Sequence, residues 1–131
     1  MNRASKGFDM ESLFRAFADR TRLRLLNLMG SDEVCVCYFV EVLRTPQPKI
    51  SRHLAYLRKA GIVGARREGK WMHYRIVEPK DPWTAQILKN VRTWLAADLG
   101  MQRDLNRLAR MCCSNPPARL ERAPKPVSVK T

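Results

Sequence analysis

At 131 residues the chain has room for one domain of ordinary size and can bury a core without disulfides to staple it. Its 25 Lys and Arg against 12 Asp and Glu leave a net charge of +13, beyond what solubility needs and typical of chains that meet polyanions, nucleic acid ahead of an anionic membrane surface. No apolar run approaches the roughly 20 residues that span a bilayer, and "MNRASKGFDMES" lacks the apolar centre of a secretory signal, so a cytoplasmic protein without a membrane partner is expected.

Residues 1–8 read as a flexible N-terminus. Asp9 then caps a helix with Leu13, Phe14 and Phe17 at helical spacing, and Leu23, Leu26 and Met29 continue the period until Gly30 closes it, giving two short helices or one kinked one. Val36, Phe39, Val40 and Leu43 mark the next helix, which ends near Thr45 and carries Cys35 and Cys37 at its start. On an ideal helix two steps of 100° would turn these cysteines to nearly opposite faces.

Pro46 and Pro48 are tolerable only before or within a first helical turn, so a new helix begins here with Thr45 or Gln47 as its cap. Ile50, Leu54 and Leu57 form its apolar stripe, Gly61 ends it, and Gln47, Lys49, Ser51, Arg52, His53 and Tyr56 project elsewhere as a face rich in donors. The pattern then alternates. "IVGARREGKWMHYRIV" reads as two strands around a turn at Gly69, with Met72, Tyr74 and Ile76 inward and Trp71, His73 and Arg75 outward. Arg66, Arg67 and Lys70 gather at the tip, and from Arg44 to Lys70 eight cations face one acid, Glu68, a segment charge of +7 suited to phosphate contact.

Asp81 and Pro82 open a last long helix whose stripe, Ile87, Leu88, Val91, Trp94, Leu95, Leu99, Leu105 and Leu108, bends at Gly100 and exceeds what one small domain can bury. A second subunit could cover it. Residues 114–131, with four of the eight prolines, little apolar material and no period, read as a disordered basic tail, leaving 9–113 as the folded unit. Helix, tight turn, helix and a basic-tipped hairpin make a winged helix-turn-helix, a mostly α fold with a β-hairpin wing, here dimeric. Its second helix enters the major groove of double-stranded DNA and its wing touches backbone.

The four cysteines fall as two tight pairs, Cys35/Cys37 and Cys112/Cys113, not as the spread framework of a disulfide scaffold. Paired reduced thiols point to a soft metal or metalloid, or to redox chemistry; the alternative is that each is a small buried hydrophobe. A small thiol oxidoreductase finds little support: there is no C-x-x-C, no βαβ pattern and no Ser/His/Asp grouping. No permanently bound cofactor is expected.

Over residues 9–113 the chain resembles the ArsR/SmtB family of bacterial metal-sensing repressors. "FADRTRLRLLNLM" is similar to the family's early helical signature, "PQPKISRHLAYLRKAGIVGARREGKWMHYRI" to its recognition helix and wing, and "EVCVCYF" to its arsenic-repressor box, usually ELCVCDL. The resemblance implies a homodimer joined by its first and last helices. It would repress a resistance operon and leave an inverted-repeat operator when As(III), Sb(III) or methylarsenite binds the cysteines. It implies Gln47, Lys49, Ser51, Arg52, His53 and Tyr56 at bases or nearby phosphates, and Arg66, Arg67 and Lys70 on backbone. The family's zinc site in the last helix needs histidine and acidic ligands there, and the chain holds only His53 and His73. Two departures stand out: Tyr38 replaces the acidic residue of the box, and Val40 stands where some arsenic repressors carry a third cysteine. Cys112 and Cys113 are then the thiols that complete or constitute an As(III) site. A thiol redox sensor on the same scaffold is the other regulatory reading.

Overall fold

Four aspartates set the helix starts. A computed structural model describes residues 9–114 and 116–129. In it Asp9 caps α1 (Met10–Phe17), Asp19 caps α2 (Arg20–Met29), Asp81 caps α5 (Pro82–Ala97) and Asp98 caps α6 (Leu99–Ala109). Each carboxylate accepts the N–H three residues on, at 3.2, 3.2, 2.9 and 2.9 Å, an arrangement worth about 1 kcal/mol per cap. The expected flexible segment 1–8 lies outside the described residues. Gly30 leaves α2 at φ 49°, a backbone region that glycine enters without steric cost.

Asp98 also decides where the last helix bends. At φ −86°, ψ 128° it leaves helical geometry, ends α5 and caps α6, so the break falls there and not at Gly100, which sits inside the first turn of α6. A π-helical turn, Arg110–Ser114, carries the second cysteine pair. Helix α6 is anchored on α2: Asp104 takes two bonds from Arg24, at 2.7 and 3.0 Å, and Asn27 donates to the Met101 carbonyl at 2.8 Å. Arg107 reaches the Val42 carbonyl at the end of α3.

The helix-turn-helix consists of α3 (Val36–Leu43) and α4 (Gln47–Lys59). Arg44 makes the turn in the left-handed region, φ 52°, and Pro46, not Thr45 or Gln47, is the N-cap, its carbonyl accepting from Lys49 and Ile50 at 3.1 Å. Ile50, Leu54 and Leu57 are all fully buried against Leu25, Phe39 and Val42 in one core.

The sheet is larger than the expected hairpin. β2 (Val63–Glu68) and β3 (Trp71–Ile76) pair around Gly69 as the alternation predicts. The other side of β3 is taken by β1 (Asp32–Cys35), with Cys35 opposite His73, and β1 is flanked by β4 (Val127–Ser128), giving the order β2-β3-β1-β4. This extra pairing corrects the expectation that His73 faces outward. His73 faces inward at 4% exposure, because β1 covers the side of β3 that a lone hairpin would leave to solvent.

The tail is likewise seated. Residues 116–129 run back over the body, Leu120 and Ala123 are buried, Arg119 forms two bonds to Glu41 of α3 at 2.8 and 2.7 Å, and β4 pairs with β1. Composition signals disorder here, but two apolar anchors and the open edge of β1 supply the contacts that a sequence window does not reveal. Phe14, Trp83, Trp94 and Leu99 stay exposed, the last three by 71, 80 and 74%.

Candidate thiol site and nucleic-acid interface

The first cysteine pair is brought together, not held apart. Cys35 ends β1 in extended geometry, φ −68°, ψ 140°, and is the N-cap of α3, while Cys37 lies in the first turn. The expectation that both ride one regular helix therefore fails, because the strand takes Cys35 out of it. The Cys37 thiol donates to the Cys35 sulfur at 2.9 Å, and both thiols are free. Cys35 is fully buried; Cys37 is half-buried.

That hydrogen bond is the main reason the Cys35 thiol is held down at about 7. The Cys37 backbone N–H at the start of α3 and the nearby His73 act in the same direction, against the cost of burial. The donor pays the opposite penalty: Cys37 is pushed far up, since its proton is shared with the Cys35 sulfur and burial disfavours a second anion. As pH rises through 7 the pair passes from two thiols to one thiolate and one thiol. His73 Nε2 and Glu68 Oε1, which both act on Cys35 through their charge, are 2.8 Å apart. Tyr38, in place of the acidic residue of the familiar box, is buried in the core beside Phe39, and its phenol is pushed up by burial and by the two sulfurs.

The second pair is elsewhere. Cys112 sits on the π-helical turn with its sulfur 3.5 Å from the Ala109 carbonyl; the Cys113 side chain lies outside the described residues. No group of three or more His, Cys, Asp or Glu is arranged to hold a metal ion among the described residues.

The donor face of α4 is largely as read. Gln47, Lys49, Arg52 and Tyr56 are exposed and Ser51 is half-buried. His53 differs: its ring accepts from Arg22 Nε at 3.3 Å, lies 3.8 Å from Asp19, and is 14% exposed. Burial lowers its pKa, favouring the neutral ring that can accept from Arg22. On the wing, Arg66 is locked on Glu33 of β1 by bonds of 2.7 to 3.2 Å, whereas Arg67 makes only a 3.4 Å bond to the Gly69 carbonyl and Lys70 lies 5.0 Å over the Trp71 ring. The sequence carries no local signal for Glu33 and Arg22, nor for the contact of Glu68 with His73, because these depend on contacts between separate strands and helices.

A donor-rich helix set against a shorter one by a tight turn, beside a hairpin with a basic tip, defines a winged helix-turn-helix transcriptional regulator. The chain belongs to the arsR family of bacterial regulatory proteins. The family model described as "Bacterial regulatory protein, arsR family" matches residues 19–64. The "Arsenical resistance operon repressor" of Escherichia coli (strain K12) is 41% identical over 103 residues, which is 78% of this chain and 86% of that protein. The "Arsenic resistance transcriptional regulator ArsR1" of Pseudomonas putida is 43% identical over 91 residues, 66% of this chain and 71% of that protein. Among solved structures, the "AntR antimony-specific transcriptional repressor" matches with a TM-score of 0.53 at 31% identity, covering 72% of this chain and 83% of that one. "HlyU from Vibrio cholerae N16961" shares the fold, with a TM-score of 0.56 at 24% identity over 72% of this chain and 97% of that one. The chain is a regulator and not an enzyme.

Proposed function

We propose that this chain is a cytoplasmic, homodimeric repressor of an arsenical-resistance operon. It holds double-stranded operator DNA through α4 and the wing, and is released when As(III), Sb(III) or methylarsenite binds Cys35 and Cys37. The observation that carries the reading is the placement of two free thiols, 2.9 Å apart, at the N-terminus of α3, the first helix of the DNA-reading unit. The names of its relatives support it. The exposed Trp83, Trp94 and Leu99 on α5 and α6 give a second copy an apolar surface to cover. Among the described residues no helix is long and apolar enough to cross a membrane, in keeping with a DNA-bound role.

The geometry suggests how the two events oppose each other. Chelation replaces the Cys37–Cys35 hydrogen bond by two sulfur bonds to one atom; each displaces a hydroxide from the metalloid, one leaving as water with the Cys37 proton and the other with a proton from solvent. No helix has to unwind, since Cys35 already lies outside α3; the displacement instead enters through Cys37 in the first turn and shifts α3 against α4. Inverting the bound and released populations from 99:1 takes about 5.5 kcal/mol of differential affinity. Thiolate ligation of a soft ion can supply it, given apparent energies on the order of 10 kcal/mol for structural zinc sites. Methylarsenite, which keeps a carbon on arsenic, is satisfied by the pair. Cys112 is disulfide-bonded, not the reduced thiol that composition suggests, so inorganic As(III) draws a third thiolate from the Cys112–Cys113 turn only after a reductant opens that bond. The test is fluorescence anisotropy of a duplex from the DNA flanking the gene, with and without arsenite under a phosphine reductant. Wild type should dissociate, while Cys35→Ser and Cys37→Ser should stay bound; a double variant that dissociates normally excludes the pair.

The short sulfur separation also favours a second reading, oxidation of the pair to a disulfide by a peroxide, which would be reduced to water. Release by arsenite needs no oxidant and is reversed by a competing dithiol, which separates the two.

A further inference from the structure

Three arginines around the reading unit are already engaged. Arg24, Arg66 and Arg119 are each locked on a carboxylate, of Asp104, Glu33 and Glu41 respectively, at 2.7 Å. A different arrangement holds between α1 and α4, where Ser12, Arg15, Arg52, Ala55, Tyr56 and Lys59 line a cavity of about 310 Å³. Three cations face this space, no carboxylate lines it, and none of the three makes an ion pair among the described residues. Asp9 accepts from Ser12 at 3.2 and 2.9 Å and acts on Arg15 through its charge without pairing with it, Asp19 accepts from the Arg22 N–H at 3.2 Å, and Glu11 of α1 does not line the space.

The walls are braced. The Arg22 guanidinium stacks 3.9 Å from the centre of the Tyr56 ring, and the same side chain donates to the Arg15 carbonyl, tying the end of α1 to α2 and to α4. Arg52, Tyr56 and Lys59 recur at helical spacing on one side of α4, and that stripe runs on toward Ser51 and Pro48 at the reading end. From Gln47 to Lys59 the helix rises about 18 Å, enough to carry it from base edges in the groove to the phosphates on its wall.

We propose that this cleft is a phosphate-binding site, in which Arg15 of α1 joins Arg52, Tyr56 and Lys59 to grip a backbone phosphate of the bound duplex beyond the base-reading stretch. The proposal rests on the DNA-binding reading above. It adds α1, a helix outside the helix-turn-helix and wing, to the DNA contact surface. Guanidinium and hydroxyl donors converging on a concave cationic site match the chemistry of a phosphodiester, and the contact would be blind to base sequence.

The experiment measures anisotropy on two duplexes of about 30 base pairs, one flanking the gene and one of arbitrary sequence, over a range of KCl concentrations. Arg15→Ala and Lys59→Gln should each weaken both duplexes by a similar factor, roughly fivefold per protomer at 0.15 M salt, and should flatten the salt dependence by about one unit per protomer. Arg15→Lys should recover much of the slope. Unchanged affinity and slope in Arg15→Ala, with wild type binding normally, overturns the proposal, as does a loss confined to the gene-flanking duplex. A second arm titrates pyrophosphate into the free protein. Saturable, Arg15-dependent binding of pyrophosphate with no effect of Arg15→Ala on DNA assigns the cleft to a soluble phosphoryl anion and overturns the duplex assignment. Failure of wild type to bind either duplex sinks the DNA-binding reading itself and is seen in the same titration.

Discussion

Replacing Cys37 by Ala removes the donor that contributes most to the low pKa of Cys35. With Cys35 at about 7 against an ordinary value of 9.0, close to half of it is thiolate at pH 7, whereas an unassisted thiol would be about one part in a hundred ionised. Two units correspond to about 3 kcal/mol, a ceiling on what the folded environment gives that charge. Since the unfolded chain binds more protons at Cys35 between pH 7 and 9, stability rises with pH across that window and is lost as pH falls through 7. Cys37 has the opposite sign: it stays protonated in the fold while the unfolded thiol ionises, so stability falls again above about 9. In Cys37→Ala the Cys35 titration should climb toward 9, and both limbs of the stability profile should flatten. Thiolate absorbance in the far ultraviolet, corrected by the same titration of Cys35→Ala, reads the first; urea midpoints at several pH values read the second. A Cys35 midpoint that stays near 7 without Cys37 would show that the α3 N-terminus and His73 carry the depression, and the shared-proton account would be wrong.

Glu33→Gln should free Arg66 from its carboxylate, so duplex binding should tighten severalfold and its salt dependence steepen by about one unit per protomer; a neutral or weaker result would place Arg66 off the DNA. Leu120→Ala, at a side chain 2% exposed, should cost about 2 kcal/mol or more and speed amide exchange in β1, which β4 flanks; protection in β1 unchanged in that variant would mean the tail is held independently of its apolar anchor.

What the sequence discloses and what it conceals divide by range. Asp9, Asp81, the Pro46/Pro48 punctuation, the Ile50/Leu54/Leu57 stripe and the Gly69 turn are local signals, and each falls where a helix start, a buried face or a hairpin is found. Strand β1 is four residues long and holds a single β-branched residue, Val34, so its pairing is set by β3, some forty positions away. The same gap hides the convergence of Cys35 and Cys37 and the burial of His73. The bend at Asp98 misleads differently, because glycine is the usual breaker and a capping aspartate between two helices leaves the apolar period nearly intact. For Arg66 and His53 the residue types are legible, but the partners that restrain them, Glu33 and Arg22, belong to other elements.

Strand β4 also bears on how the Cys112–Cys113 turn can be tested. β1 carries Cys35 at one end, and Asp32 and Glu33, together with Ser31, pair with residues 127–129. A chain cut at residue 111 loses that cover along with both cysteines. The bared strand would present unpaired N–H and C=O groups beside the thiol site, a template for another copy to add a strand. Such a shortened protein could lose its response to arsenite through self-association alone, with its thiol chemistry intact. Exchanging Cys112 and Cys113 for Ser in the full-length chain keeps the edge closed, so a change in response then belongs to sulfur.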